Sequence, residues 1–422
     1  MDIIKLEKFL KDKGEKDYRL KQIKKAVFVD LVNSWDEATT LSKELREEIK
    51  KEFPISILGL LELLESKNKD STKAVFKLKD GNIVETVLMR HLNTKEDDAK
   101  AGRNTVCVSS QAGCAMSCGF CATGKMGLKR NLTGEEIVDQ VLFFARHLKK
   151  ENQNINNVVF MGMGEPFLNY DNTIQAIRIL NDKDGFNLGI RHISVSTCGI
   201  IPGIEKFADE NLQVNLAISL HAADDKTRSK LMPINKKYPL ADLMKTVDDY
   251  VKKTNRKVIF EYLLIDGIND SEDDARKLAK LMKSSLYHIN LIKYHETGNN
   301  LKPSPQAKRT QFFDALKKLG VSVTFRVSFG EDILAACGQL AGNKEYARIN
   351  GMEQSKTQLN TAINYDKNLK KLLGWEDSDM KILKRTGGIL KGILKKSPVA
   401  HQREIRKEWE RRVKKLEKIA KK

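Results

Sequence analysis

Three cysteines lie within eight residues of this sequence. Cys114, Cys118 and Cys121 form the stretch CAMSCGFC with the spacing C-x3-C-x2-C, although the 422-residue chain contains only six cysteines. Three thiolates can ligate three irons of a 4Fe-4S cluster and leave the fourth iron open to another ligand. A structural zinc site would need a fourth ligand nearby, and three inert core cysteines are a further alternative. The pattern favours the iron-sulfur cluster.

The composition is that of a globular protein: 41% of the residues are hydrophobic and 31% are charged. The N-terminus has no apolar signal core and no run of eighteen apolar residues occurs, so we expect a cytoplasmic protein without a membrane span. Structural disulfides are rare in that compartment. The formal net charge of +19 favours a polyanionic partner such as a nucleic acid.

Strand and helix patterns alternate from residue 104 to about residue 340. This alternation predicts a parallel sheet with right-handed crossovers, and six or seven such units fit a partial or complete barrel best. The chemistry of a barrel lies in the loops after the carboxyl ends of its strands. The predicted strands are 105–110, 157–163, 192–197, 214–220, 258–265, 289–294 and 321–327.

The whole chain is predicted to have four parts. Residues 1–72 carry helical patterns without a strand signal. In residues 73–103, two alternating runs joined by Asp80-Gly81 predict a β-hairpin with a two-residue turn. Residues 104–342 form the α/β barrel. Residues 343–422 form a basic helical extension with 22 Lys and Arg against 10 Asp and Glu. The extension is interpreted as a solvated tail, an RNA-contacting helix or a membrane-surface helix.

The cysteine motif, with Phe120 before its last cysteine, resembles the signature of the radical S-adenosylmethionine superfamily. Further strings narrow the resemblance to the RlmN family, which methylates adenines of 23S ribosomal RNA and tRNA, and to its Cfr relatives. The resemblance spans residues 15–345 and implies a partial (β/α)6-type barrel, one 4Fe-4S cluster and two molecules of S-adenosylmethionine per turnover. The strings are TVCVSSQAGCAMSCGFCATGKMG, FMGMGEP, VSTCGIIPGI, AISLHAADDKTRSKLMPINKKYP and DILAACGQL.

The resemblance implies separate roles for five of the cysteines. Cys114, Cys118 and Cys121 would hold the cluster, where S-adenosylmethionine is cleaved to a 5′-deoxyadenosyl radical. Cys337 would first take a methyl group from another S-adenosylmethionine, and the radical would activate that methyl group for addition to adenine. Cys107 would then attack Cys337 and release the product with a transient disulfide. Taken alone, Cys107 and Cys337 are each more typical of inert core cysteines.

The resemblance also implies a proton acceptor, Glu85, and a set of residues that bind S-adenosylmethionine. The glycines of MGMGEP would let backbone approach that ligand. His295 occupies a position where the family usually has asparagine, and histidine can still form a hydrogen bond. Cys198 receives no role beyond that of a small buried residue. The predicted binding residues are Gly164, Glu165, Ser196, Ser219, Leu220, His221 and His295.

The resemblance implies methylation of C2 of an adenosine in 23S rRNA, and also in tRNA. One alternative is methylation at C8, as in the Cfr relatives, which Phe329 in SFGED favours. The second alternative is a non-catalytic RNA-binding protein stapled by metal. The expected partners are the RNA and an electron donor such as a reduced flavodoxin or ferredoxin, and the chain is expected to be a monomer.

Overall fold

One mixed β-sheet organises the computed structural model, which describes residues 1–91 and 102–341. Ten strands of the described ranges form this sheet in the order β1-β2-β3-β4-β7-β8-β9-β10-β11-β12, and β5 pairs separately with β6. The strands are β1 Gly59–Glu65, β2 Ser71–Lys77, β3 Ile83–His91, β4 Arg103–Cys107, β5 Gln111–Ala112, β6 Arg130–Asn131, β7 Asn157–Phe160, β8 Ile193–Thr197, β9 Asn215–Ser219, β10 Val258–Leu264, β11 Tyr287–Lys293 and β12 Val323–Phe325.

Helices precede the sheet and connect its parallel strands. The helix α5 begins with a capping box, in which Thr133 and Glu136 each accept the other's backbone N–H. None of the helices described is long and apolar enough to cross a membrane. The helices are α1 Ile3–Asp12, α2 Tyr18–Lys24, α3 Lys43–Glu52, α4 Ala122–Lys125, α5 Gly134–Lys149, α6 Tyr170–Asn181, α7 Ile201–Asp209, α8 Asp225–Leu231, α9 Leu240–Thr254, α10 Glu272–Leu281 and α11 Gln306–Lys318.

The parallel half of the sheet consists of β4 and β7 to β12. Every neighbouring pair in this half is parallel, and the strands follow one another in chain order. A doubly wound sheet would reverse its strand order at a switch point, so the continuous order confirms the predicted barrel type. The barrel is partial because the sheet ends at β1 and β12. All seven strands predicted in this half are present, with bounds shifted by a few residues.

The antiparallel half consists of β1 to β4. The predicted hairpin is confirmed as β2 and β3, but its turn has three residues, 79–81, rather than two. Leu78 accepts a hydrogen bond from Gly81 N–H and donates one to Asn82 O, which closes the loop around Gly81 at φ +85°. The left-handed residue is thus the last of three, as in a turn with a glycine bulge.

The prediction of helices alone over residues 1–72 was wrong for Gly59–Glu65, which form β1. The segment GLLELLE consists mostly of strong helix formers, but it pairs along β2 with a bulge between Leu60 and Glu62. Backbone pairing with the outer edge of β2 therefore outweighs the helix propensity of this segment. The predicted basic extension, residues 343–422, lies outside the described residues, and the domain boundaries at 72, 103 and 342 stay predictions.

Candidate active site

A cavity of about 180 Å³ lies at the carboxyl ends of the parallel strands. Each of the seven strands, or the loop directly after it, contributes side chains to the wall of this cavity. The structure therefore brings residues from most of the chain to the edge where barrels carry their chemistry. The predicted site residues that line it are Cys107, Cys114, Cys118, Cys121, Gly164, Glu165, Ser196, Ser219, His221, His295 and Cys337.

The loop with the three clustered cysteines is closed on itself after β4. Its ends are joined where β5 pairs with β6, and Cys114 N–H donates to Gly127 O at 3.2 Å. Gly113 has φ +75°, and a Cβ there would lie 1.9 Å from Gly127 O. Only glycine fits this position, so the backbone fixes where Cys114 enters the cavity wall.

The three thiols fit an iron-sulfur cluster because thiolates are its usual ligands and all three line the same cavity. As placed, no three or more His, Cys, Asp or Glu side chains of the described residues lie together as ligands of a metal ion. Burial raises the pKa of Cys114 to about 12 and that of Cys118 well above its usual value, and Cys121 adds to both shifts. Bound iron would oppose these shifts because a coordinating thiol is deprotonated.

Glu165 is held by hydrogen bonds on both carboxylate oxygens in the loop after β7. Its two carboxylate oxygens accept hydrogen bonds from Phe167 N–H at 3.0 Å and from Cys198 N–H at 2.7 Å. Burial raises the pKa of this carboxyl group, although these hydrogen bonds oppose the shift. Gly164 before it has φ +102°, and a Cβ there would lie 2.6 Å from Gln111 Cβ. The motif thus presents one oriented carboxylate to the cavity.

Cys198, which received no role from sequence, is a buried residue of the cavity wall. Its contribution to the site is the backbone N–H that holds Glu165.

The ends of β8 and β9 contribute Ser196, Ser219 and His221. The two serine hydroxyls are 3.4 Å apart. His221 Nδ1 accepts a hydrogen bond from Leu263 N–H at 3.1 Å, which leaves the proton of the neutral ring on Nε2. Its ring packs edge-on against Phe120 with centroids 4.7 Å apart, and burial lowers the pKa of His221 to about 3. A neutral imidazole therefore stands beside the cysteine loop.

Leu220 is fully buried, and its side chain lies outside the cavity wall described above. Its carbonyl accepts from Arg228 Nε at 3.2 Å, and the same guanidinium donates to Cys198 O at 2.8 Å and to Ser219 O at 3.2 Å. Arg228 thus ties together the ends of β8 and β9. Sequence reasoning missed it, although its string AISLHAADDKTRSKLMP was recognised as a whole.

His295, which the sequence predicts as a ligand-binding residue, lines the cavity. Its Nε2 lies 2.9 Å from Ser328 Oγ and its Nδ1 lies 3.4 Å from Glu331 Oε1. Burial lowers the pKa of His295, although Glu331 opposes the shift. The imidazole therefore connects the end of β11 to the chain after β12.

Cys107 and Cys337 line the same cavity as the three clustered cysteines. Burial raises the pKa of Cys107 to about 12, and the nearby Cys337 adds to this shift. Arg326 lies beside both cysteines; burial alone would lower its pKa, but Cys337, Glu261 and Cys107 together raise it. Its Nη1 is 3.7 Å from Glu261 Oε1. A permanent cation thus lies near both thiols and favours their thiolate forms.

Arg326 and Glu261 were not singled out from the sequence. Glu261 is the only charged residue in the apolar run VIFEYLLI of β10, and Arg326 follows directly after β12. A charge within a buried parallel strand, or at its carboxyl end, is the signal that could have found them.

The chain around Cys337 is attached to the cysteine loop. Ala122 N–H donates to Gly338 O at 2.7 Å, and Thr123 Oγ1 donates to Leu340 O. Gly338 has φ +83°, and a Cβ there would lie 3.2 Å from Phe120 O. Cys337 is therefore held next to the loop that carries the three clustered cysteines.

Glu85 lies on β3, on the face of the strand that it shares with Val87 and Met89, because side chains alternate along a strand. Val87 and Met89 line the cavity, whereas Glu85 lies outside its wall and is 1% exposed. Its Oε2 is 3.9 Å from Lys73 Nζ. The structure places Glu85 close to the cavity, and its role as a proton acceptor stays a prediction.

Two family models match the chain: the Radical SAM superfamily over residues 108–281, and the ribosomal RNA large subunit methyltransferase N-terminal domain over residues 1–55. A probable dual-specificity RNA methyltransferase RlmN of Staphylococcus epidermidis is 45% identical over 337 residues, which are 79% of this chain and 90% of the relative. The chain belongs to the RlmN family of radical SAM RNA methyltransferases.

Two further proteins agree with this family assignment. The ribosomal RNA large subunit methyltransferase N of Nitrosopumilus maritimus is 44% identical over 79% of this chain and 95% of the relative. The crystal structure of a radical SAM methyltransferase from Sphaerobacter thermophilus is 41% identical, with a TM-score of 0.77 over 81% of this chain and 98% of that one. The radical SAM family uses a 4Fe-4S cluster and S-adenosylmethionine, which confirms the predicted cofactors.

Proposed function

We propose that this protein methylates C2 of an adenosine in 23S rRNA, and of one in tRNA, through a methyl group carried on Cys337. The observation that supports this most is the presence of Cys107 and Cys337 on the wall of the cavity that Cys114, Cys118 and Cys121 also line. Three cysteines suffice for a cluster, and the other two are free thiols available for covalent chemistry. The relatives named as dual-specificity RNA methyltransferases support RNA as the substrate.

Cys114, Cys118 and Cys121 would hold the cluster in this proposal. The Glu165 carboxylate would accept charge-assisted hydrogen bonds from the amine of S-adenosylmethionine, and polar groups at the next strand ends would hold the rest of that molecule. When bound, the cluster and S-adenosylmethionine supply an electron, a methyl group and the radical chemistry that an unreactive adenine C–H requires. The proposed polar groups are Ser196, Ser219, His221 and His295, together with the backbone at Gly164 and Leu220.

Cys337 would carry the methyl carbon as a thioether, which requires its thiolate form for bond formation. The nearby Arg326 guanidinium favours that thiolate by charge. The cavity wall is mostly apolar and includes Phe160, Leu263 and Ala335. Such a wall excludes water from the reacting carbon.

Cys107 would release the product. Its thiolate would attack Cys337 sulfur once the methyl carbon is joined to adenine, so that an S–S bond forms as the S–C bond breaks. Glu85 would accept the proton that leaves C2 once the adduct has given one electron back to the bound cluster, and the carbon released from Cys337 would take up a proton to complete the methyl group. A thiol reductant then returns two electrons to the Cys107–Cys337 disulfide.

We propose C2 rather than C8 because the strings MGMGEP and ISLHA match the RlmN pattern and the relatives carry that name. Phe329, which favours the C8 alternative in sequence, lines the cavity and packs against His91 with ring centroids 4.7 Å apart. We further propose a cytoplasmic monomer that receives electrons from a flavodoxin or ferredoxin.

The test is anaerobic reconstitution with iron and sulfide, followed by incubation with S-adenosylmethionine, a reductant and separate rRNA and tRNA substrates. Chromatography and mass spectrometry of the nucleosides should show 2-methyladenosine, and Cys337→Ala should abolish it while retaining cluster iron. 8-Methyladenosine as the sole product would establish the C8 alternative. Undiminished methylation by Cys337→Ala would contradict the proposed route.

A further inference from the structure

Lys73 is a buried cation on β2 that the chemistry above does not use. Its side chain is 4% exposed, and its Nζ lies 3.9 Å from Glu85 Oε2. The same Nζ donates a hydrogen bond to Leu334 O at 3.2 Å. Because Lys73 faces Val87 across the β2–β3 pair, its ammonium lies over the strand face that carries Glu85. A buried ammonium is costly unless it is paired and hydrogen-bonded, and these two oxygens supply both partners.

Leu334 belongs to the segment 330–338, hereafter the Cys337 segment. Leu334 has φ +52° and is 53% exposed, so packing of its side chain into the core does not hold the backbone in this conformation. Polar contacts hold it instead: Lys73 binds its carbonyl, and Ala335 N–H donates to Gly330 O at 2.8 Å. Lys73 therefore stabilises a strained backbone three residues before Cys337.

The Cys337 segment also approaches the β1–β2 loop and the first residue of β2. Lys67 N–H donates to Asp332 Oδ2 at 2.9 Å. Gly330 has φ +63°, and a Cβ there would lie 2.8 Å from Ser71 Oγ. Together with the hydrogen bond from Ala122 after Cys337, these contacts hold the cysteine between the antiparallel half of the sheet and the cysteine loop.

We propose that Lys73 is a positioning residue, whose single ammonium sets the Glu85 carboxylate and the Cys337 segment in a fixed relation. This inference rests on the proposed function, in which Glu85 accepts a proton from an adenine joined to Cys337. A proton acceptor must lie within hydrogen-bond reach of the group it serves. Lys73 touches neither thiol in this account, and it acts through the carbonyl of Leu334 and the carboxylate of Glu85.

The first experiment measures hydrogen exchange in the reconstituted full-length protein. Lys73→Met keeps the aliphatic stem and removes the charge and the donor, whereas Lys77→Met changes an exposed lysine of the same strand. We expect amide exchange in the Cys337 segment to rise at least about tenfold in Lys73→Met, as for the loss of one hydrogen bond to a charged group. Lys77→Met should match the wild type. Unchanged exchange in Lys73→Met would overturn the proposal.

The second experiment measures 5′-deoxyadenosine and methyladenosine in the same reaction. In Lys73→Met the ratio of 5′-deoxyadenosine to methyladenosine should rise about 100-fold, because a misplacement of the reacting groups by about 1 Å lowers the rate of the later steps by about this factor. Formation of 5′-deoxyadenosine should continue, because the residues that bind the cofactors are unchanged. Lys73→Arg, which keeps a charged donor, should restore most of the coupling. The double variant Lys73→Met/Glu85→Gln should have nearly the same ratio as Glu85→Gln alone, because Lys73 acts through the Glu85 carboxylate and the two effects are therefore not additive.

The outcomes separate the inference from the proposed function. If the wild type forms no methyladenosine, the proposed function fails, and the exchange measurement still decides whether Lys73 holds the Cys337 segment. If methyladenosine forms but Lys73→Met lowers both products in equal proportion, along with the melting temperature, Lys73 is merely structural and the positioning role is overturned.

Discussion

Replacing Glu165 with glutamine should weaken the binding of S-adenosylmethionine with little effect on the stability of the fold. The carboxylate accepts one backbone N–H on each oxygen, from Phe167 at 3.0 Å and Cys198 at 2.7 Å. Glutamine has one acceptor oxygen, so its NH2 group must face one of these donors. The variant also loses the charge that would meet the amine of the ligand.

The magnitude follows from that one lost charge-assisted interaction. A hydrogen bond to a charged group contributes about 1.5–3 kcal/mol, so the dissociation constant should rise about 10- to 150-fold. Burial raises the pKa of Glu165, which means that the buried charge itself is costly. Its removal offsets part of the lost hydrogen bonding, so the free energy of unfolding should change by only about 1 kcal/mol.

The assay is equilibrium binding of S-adenosylmethionine to reconstituted wild type, Glu165→Gln and the control Glu205→Gln. Glu205 is an exposed carboxylate on α7, and its variant should bind as the wild type does. Iron content is measured in parallel, so that loss of the cluster is distinguished from loss of the carboxylate. Binding by Glu165→Gln within twofold of the wild type, at equal iron content, would refute the role given to this carboxylate.

Two further predictions concern the fold around the site. The pKa of His221 is about 3 in the folded protein, so below pH 6.5 the unfolded state takes up the proton more readily and stability falls, by about 2 kcal/mol between pH 7 and 5. His221→Asn should remove this part of the pH dependence in urea unfolding, because asparagine tolerates the positive φ and does not titrate here. The control His192→Asn, at an exposed site, should keep it. An unchanged dependence of the unfolding free energy on pH in His221→Asn would contradict the buried, neutral state given to His221. Gly164→Ala should lose about 1–3 kcal/mol more stability than Gly267→Ala, because both have positive φ but only the Gly164 position meets a neighbour, Gln111, within 4 Å. Equal losses in the two variants would exclude that clash.

The parallel half of the fold was predictable because its strands are short apolar runs bounded by polar loops. Such runs, as in β9 and β10, are buried on both faces and stand out in the sequence. Once they are placed, the carboxyl-end rule locates the cysteine loop, MGMGEP and the serines of β8 and β9. The cavity at that edge is lined by residues from each of these segments.

Other features depend on tertiary contacts that no local pattern records. The strand β1 is built from helix-forming residues and exists through its pairing with β2. No local pattern distinguishes Lys73, Arg228 and Arg326 from other basic residues, and their importance comes from carbonyls and carboxylates distant in sequence. Leu220 was carried over from a motif, and its backbone rather than its side chain takes part in the arrangement.

In the proposed reaction, Cys337 carries the transferred carbon and Cys107 releases it. The most direct measurement is mass spectrometry of Cys107→Ala after incubation with S-adenosylmethionine, a reductant and RNA under anaerobic conditions. We predict an RNA adduct joined through one carbon to Cys337, which is absent when Cys337→Ala is added. Turnover by Cys107→Ala to free methyladenosine at the wild-type rate, without any adduct, would contradict this account.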